Sequence, residues 1–360
     1  MPDFTQYKLS AIPSPEDPRD YVSTAIIPRD IQVPSKLSYR YKDETVLDQG
    51  VHGICVGCGC AEIKNVHELA KLPVNGFSPV YVYALCKQVD GIPDIQGTFV
   101  RTGMAILAKH GTIPYDEMPI SILNASGGKL PMPTQEQMTR GAQNRIAAYA
   151  TIPFEINAIK QAMVSTKGPV KMIIAVGDSF YWPEQGKFVG KPKAAFYGAH
   201  DITVVSFDDD MMYTYADGTT CRGMLEVKNS WSKYWGNGGF AYIPYDALNW
   251  RLPNKDGTGW GIGFITELWS TVDDLGNNEQ QPEPDVVRPK YWRIQTGAFS
   301  VKANAQNYQA QLKQKSLATY LVLIDNLWKV QLGAFLSEQN CRNESGKIKT
   351  LGVNNFVTYY

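Results

Sequence analysis

Hydrophobic positions along this chain change period near its middle. Between Cys55 and Gly111 they recur at helical spacing. Ala61, Val66, Leu69, Ala70 and Leu72 fall on one side of a run that begins at Cys55 and that Pro73 closes. FSPVYVYALCKQ (Phe77–Gln88) and TGMAILAKHG (Thr102–Gly111) read as two more helices, and Gly111 suits the C-cap of the second. From about residue 150 the runs become β-branched and aromatic: KMIIAVG, DITVVSF, GMLEVKNS, FAYIPY and GIGFITELW, separated by Gly, Asp and Asn turns. Helices first and strands later predict an α+β fold.

Two segments stand outside this pattern. Residues 1 to about 45 are Pro-rich and irregular and read as an extended arm packed on the domain. GNNEQQPEPDVVRP (Gly276–Pro289) is polar and reads as an exposed linker. The expected domains are therefore 1–275, then the linker 276–289, then a small domain over 290–360. In that last stretch YWRIQTGAF (Tyr291–Phe299) returns 36 residues later as LWKVQLGAF (Leu327–Phe335). Each copy is a strand followed by a polar, helix-compatible stretch, and ATYLVLID and VNNFVTYY add two strands. The order β-α-β-β-α-β is that of a ferredoxin-like split motif. Strand alternation places Trp292, Ile294, Thr296, Trp328, Val330 and Leu332 on a core face. It places Arg293, Gln295, Lys329 and Gln331 on a polar, open one.

Composition narrows the function classes. Lys+Arg and Asp+Glu both number 35, so the formal charge gives no argument for nucleic acid or an anionic membrane. No apolar run approaches the roughly 20 residues of a membrane span. The N-terminus lacks the apolar stretch of a standard signal peptide, which implies synthesis in the cytoplasm. The six cysteines, at 55, 58, 60, 86, 221 and 341, lack the spacing of a secreted disulfide framework.

The chemistry concentrates in DQGVHGICVGCGCA (Asp48–Ala61), with Gln49 six residues ahead of Cys55. His200 follows 145 residues after Cys55, just ahead of a β run, and Asn229 opens the stretch Asn229-Ser230-Trp231. A Cys, a distant His and then an Asn is the layout of a thiol hydrolase. At a helix N-terminus facing His200, Cys55 has two sources of thiolate stabilisation. Cys55-Val-Gly-Cys58 is formally a redox C-x-x-C, but the βαβ context is missing. His52, Cys55, Cys58 and Cys60 could suggest a metal site, but a second ligand pair at suitable spacing is lacking. No cofactor is expected. The run Asp208–Asp210 reads as a hairpin turn rather than a cation site.

These segments resemble the papain-like cysteine peptidases, matching residue by residue at Gln49, Cys55, His200 and Asn229. The resemblance implies a two-lobed catalytic domain with its cleft between a helical half and a β half. It assigns nucleophile to Cys55, acid/base to His200, orientation of the imidazole to Asn229, and an oxyanion donor to Gln49. Trp231 would shield the His200–Asn229 contact. Three departures stand out. Val56 replaces the family's usual Trp, Asp201 replaces a small apolar residue, and the cleft-lining Gly-Gly has no clean counterpart near Asp94–Gly97. Asp201 could act on His200, bind a substrate amine or cap a turn.

The repeat over 290–360 resembles the SPOR domain, which binds peptidoglycan lacking stem peptides. That implies a peptidoglycan partner, with Arg293, Gln295, Lys329 and Gln331 as candidate contacts. Together the two resemblances imply a cysteine endopeptidase acting on a peptide or protein substrate at the bacterial cell wall, as a phage or phage-tail-like lysin carried on a particle or released. The alternative is a non-catalytic protein of protease fold that its C-terminal domain docks on peptidoglycan or a larger particle.

Overall fold

The computed structural model describes the chain except residues 1, 2, 16, 18, 19, 21, 22, 24–30, 41–44, 255–258, 275–291, 316, 318, 325, 326, 336, 337 and 360. The expected linker thus lies outside the described residues. The chain forms two compact units, one within residues 1–280 and one within 281–360.

In the first unit, strands β1 (Ala11–Ile12) and β2 (Lys36–Ser38) precede the central helix α1 (Cys55–His67). Helix α1 is buried from Cys55 through Val66, with two other helices on one side and a sheet on the other. It stops at His67, short of the expected Leu72, and Leu69–Lys71 form a 3₁₀ turn. At that end Lys64 is bonded to Asp273 and His67 to Thr271, which ties the last turn to the sheet. Helix α2 (Pro79–Val89) starts on a Ser78 cap with Pro at its first position, the arrangement both residue types favour. Strand β3 (Thr98–Phe99) leads into α3 (Val100–His110), which ends at Gly111 with φ of +64°. A Cβ at Gly111 would sit 2.0 Å from the Gly141 carbonyl oxygen, so only glycine closes this helix. The short helices α4 (Ser121–Ala125) and α5 (Gln135–Gly141) complete this half.

The β half contains β4 (Ile146–Thr151), helix α6 (Ile156–Thr166), β5 (Val170–Val176), a turn of helix α7 (Asp178–Tyr181), β6 (Gly198–Thr214), β7 (Thr220–Lys228) and β8 (Phe240–Pro244). A ribbon of β9 (Arg251–Pro253) and β10 (Trp260–Gly263) precedes β11 (Ile265–Asp273). The main sheet runs β4-β11-β5-β6-β7-β8, with β2 against β6, and all its pairs are antiparallel. The α+β expectation therefore holds. Asp208–Asp210 is not a hairpin turn, however. It lies inside β6 at a bulge, where each carboxylate has a cation: Lys36, Lys160 and Arg222 in order. Neutralised charge lets the strand continue, and the chain reverses at Tyr215–Thr219 instead. Two apolar cores result. One lies between α1, α2 and α3 and includes Ile173 and Ala199; the other lies on the opposite face of the sheet and includes Ile174 and Ile202.

The second unit follows the expected order: β12 (Trp292–Phe299), α8 (Lys302–Gln314), β13 (Tyr320–Ile324), β14 (Leu327–Phe335), α9 (Glu338–Thr350) and β15 (Phe356–Tyr359). Its antiparallel sheet runs β13-β14-β12-β15. Despite its polar sequence α9 is a helix, because Cys341, Ser345 and Ile348 give it a buried stripe at i, i+4, i+7 spacing. Glu338–Arg342 and Glu344–Lys347 pairs support its exposed side. Ile294, Val330 and Leu332 lie in the core as expected. The polar face does not stand open as expected. Gln295 and Gln331 are opposite one another in register, buried, and hydrogen-bonded at 3.4 Å, and Arg293 contacts the Tyr320 hydroxyl.

Candidate active site

Four elements converge on one place. Cys55 is the first residue of α1, His200 lies at the start of β6, Asn229 directly follows β7, and Gln49 precedes α1. Asn229 Oδ1 lies 2.8 Å from His200 Nε2. The Trp231 ring packs 4.8 Å from the imidazole, centroid to centroid, and is fully buried. Nδ1 of His200 is buried without a hydrogen-bond partner. Asp201 acts on the Cys55 thiol through both its carboxylate and its backbone, so the sulfur lies near the residue that follows His200. Gln49 is held on both sides. Its Oε1 accepts from Ser230 Oγ at 2.7 Å and its backbone N–H donates to the Ser230 carbonyl. The four residues singled out from sequence therefore share one site.

That site is filled by the chain's own N-terminal arm. Ser10 Oγ lies 3.2 Å from Cys55 Sγ, within hydrogen-bond distance. Nε2 of Gln49 donates to the Lys8 carbonyl at 3.0 Å and to the His52 carbonyl at 3.1 Å. Leu9 packs on Gly198, where a Cβ would meet its side chain at 2.6 Å. Phe4 stacks on Trp231 at 6.2 Å, and the Tyr7 hydroxyl donates to Asp48 at 2.8 Å. Beyond Ser10 the arm pairs in parallel with the helical half, Ala11 with Thr98 and Ile12 with Phe99. Gly97 makes this approach possible. Its φ is +100°, and a Cβ there would lie 2.1 Å from the Ser10 carbonyl oxygen. One glycine thus lines the cleft where the family's pair was sought.

Burial shifts the titration of both groups. It pushes the Cys55 thiol above its usual range, Asp201 adds to the rise, and the Ser10 and Asp201 hydrogen bonds pull the other way. It pushes His200 down to about 4, against the pull of the Asn229 bond. Both shifts favour the uncharged form of each group.

Asp201 neither caps a turn nor faces a substrate. It is buried beneath α1, 2.5 Å from the buried ammonium of Lys171. Sequence reasoning missed Lys171, although a lysine inside the otherwise apolar VKMIIAV was a signal. It also missed Ser10 and Lys8, for which nothing local to the arm gave notice. The metal reading has no support in placement. His52 bonds Asn124, Cys58 and Cys60 are buried along α1, and among the described residues no group of three His, Cys, Asp or Glu could hold a metal ion.

Parts of this chain are similar to known proteins. The family model for papain family cysteine proteases matches residues 86–251, which include His200 and Asn229, and that for the SPOR domain matches residues 288–359. An uncharacterized peptidase C1-like protein of Acanthamoeba polyphaga mimivirus is 24% identical over 254 residues, 66% of this chain and 75% of that protein. Xylellain, a cysteine protease from Xylella fastidiosa, superposes with a TM-score of 0.57 at 18% identity, over 75% of this chain and 97% of its own. Bromelain protease from Ananas comosus, in complex with the E64 inhibitor, gives 0.46 at 16% identity, over 67% of this chain and 100% of its own. With a sheet and helix arrangement shared with xylellain and two family matches that divide the chain as its compact units do, this protein carries a papain-family cysteine peptidase domain followed by a SPOR domain.

Proposed function

We propose that the protein is a cysteine endopeptidase of Cys55–His200–Asn229 type, directed to the bacterial cell wall by its C-terminal domain and kept latent by its N-terminal arm. The observation that carries the reading is the 2.8 Å contact between Asn229 Oδ1 and His200 Nε2, which leaves Nδ1 as the ring nitrogen for the thiol. Proton transfer from Cys55 to Nδ1 yields the thiolate, helped by the N–H groups at the start of α1. The thiolate attacks the scissile carbonyl, and the oxyanion is bonded by the Gln49 amide and the Cys55 backbone N–H. His200 then protonates the leaving amine, and water hydrolyses the thioester. The Gln49 amide is the same donor that the Lys8 carbonyl occupies in the closed form.

A SPOR domain suits attachment to peptidoglycan, and tethering raises the local concentration of wall peptides or wall-associated proteins. A phage or phage-tail-like lysin is the setting this reading favours. The test is digestion of purified walls, with mass analysis of the released fragments, by the protein and by Cys55→Ala. Soluble peptide fragments from the first alone support the reading. Equal release by both would leave the docking alternative in its place.

A further inference from the structure

Helix α1 meets the sheet through charge. Lys171 and Ile173 of β5 and Asp201 and Thr203 of β6 are paired in register as Lys171↔Thr203 and Ile173↔Asp201, so all four point to the α1 side. His200, paired with Ile174, points to the other. Lys171 Nζ approaches Asp201 at 2.5 Å, as a close charge contact rather than a well-aligned hydrogen bond. The same ammonium donates to the Val56 carbonyl at 3.2 Å and lies 3.6 Å from Cys60 Sγ. The fit against α1 requires Gly59, where a Cβ would stand 2.5 Å from Asp201 Oδ1 and 2.6 Å from Lys171 Nζ. Farther along the helix, Glu62–Lys228 at 2.9 Å and Lys64–Asp273 at 2.6 Å repeat the device. A buried pair contributes little net stability compared with apolar residues of the same size, but it tolerates little misplacement.

We infer that the Lys171–Asp201 pair is a positioning element that fixes the first turn of α1 against the start of β6, and so fixes the Cys55 sulfur against the His200 imidazole. The inference rests on Cys55 being the nucleophile. Its two ends are one residue away from the chemistry: Lys171 holds the carbonyl of Val56, the residue after Cys55, and Asp201 is the residue after His200. An apolar contact at this seam would let α1 slide along β6. A charge pair seated on a bare glycine backbone does not. The charged and titratable groups facing it are the Cys55, Cys58 and Cys60 thiols from α1, the Cys86 thiol from α2, Lys171 from β5 and Glu267 from β11. Burial pushes the Asp201 carboxyl up to about 7 against the pull of Lys171.

The experiment is the pH profile of Cys55 carboxamidomethylation by iodoacetamide, mapped to the Cys55 peptide, in the wild type and two variants after the N-terminal arm has been released by cleavage beyond residue 15, with thermal unfolding alongside. In the wild type the inflection should lie well below that of a free thiol. A wild-type inflection at the ordinary thiol value would sink the nucleophile reading itself. In Lys171→Met/Asp201→Asn, which removes both charges at similar volume, unfolding should change little. The inflection should rise by about one unit, so that labelling at about pH 6 falls roughly tenfold. Gly59→Ala keeps both charges and only wedges the helix from the pair, so a rise there isolates geometry from electrostatics. Should the double variant fail to fold, Gly59→Ala alone decides. A folded variant with the wild-type profile would mean that the pair is structural only.

Discussion

Ser10 Oγ lies 3.2 Å from Cys55 Sγ, with both groups buried. The nucleophile therefore already has a partner, and it belongs to the same chain. Releasing the arm should raise the rate of Cys55 labelling by an epoxide probe at least tenfold, because both the sulfur and the Gln49 amide become free. A cleavable sequence between residues 15 and 20 permits release after folding, which separates occlusion from any need for Phe4 in the core. A synthetic peptide of residues 1–15 should then restore protection. An unchanged labelling rate after removal of the arm would show that it is no barrier.

The closed form should be most secure in a window around neutral pH. His200 is held at about 4, below its usual 6.5, so between these values an opened site takes up a proton that the closed site refuses. Stability of the closed arm is present above 6.5 and is lost as pH falls. Cys55 is held above 9.0, so in alkali an opened site releases a proton that the closed site keeps. Hydrogen exchange over residues 4–12 should quicken on both sides of the window. His200→Gln should remove the acid limb. His67, also pushed down to about 4 by burial, sits at the far end of α1, and His67→Gln should leave that limb in place. Loss of the limb in His67→Gln instead would mean that whole-domain acid unfolding was being read.

Gln49→Ala should lower turnover by roughly 10²-fold through loss of one oxyanion donor, with little change in the Michaelis constant. Ser230→Ala should do the same to a smaller degree, because Ser230 Oγ bonds Gln49 Oε1 and so aims the amide. If Gln49→Ala mainly raised the Michaelis constant, the residue would bind substrate rather than stabilise the oxyanion.

What was legible depended on whether the signal was local. Gln49, Cys55, His200 and Asn229 each sit at an element boundary whose composition is distinctive, so their order along the chain announced the site. The helix from Cys55 and the repeat at Tyr291 and Leu327 were legible because apolar periodicity marks them. The arm was not legible. Ser10 and Lys8 act through one hydroxyl and one carbonyl, and any residue supplies a carbonyl. The run Asp208–Asp210 was misread because turn composition was taken alone. Three cations drawn from Lys36, Lys160 and Arg222 neutralise it in place. Gln295 and Gln331 were assigned to solvent by alternation, yet two facing amides can satisfy one another and be buried.

That last contact revises how the C-terminal unit should respond to substitution. Because Gln295 and Gln331 are bonded and buried, Gln295→Ala should cost the unit about 1 kcal/mol of stability, seen as a lower midpoint for that unit in denaturant. Lys329 is half-buried on the neighbouring strand, and Lys329→Ala should weaken sedimentation with purified peptidoglycan without that loss. Removing residues 290–360 should abolish sedimentation and reduce wall digestion while sparing Cys55 labelling, since the peptidase unit has its own two cores. If the truncated protein still sediments with walls, the peptidase unit carries the affinity. If Lys329→Ala in the full chain sediments as well as the wild type, the contact face is elsewhere on the C-terminal sheet, and scanning Arg293 and Phe356 would locate it.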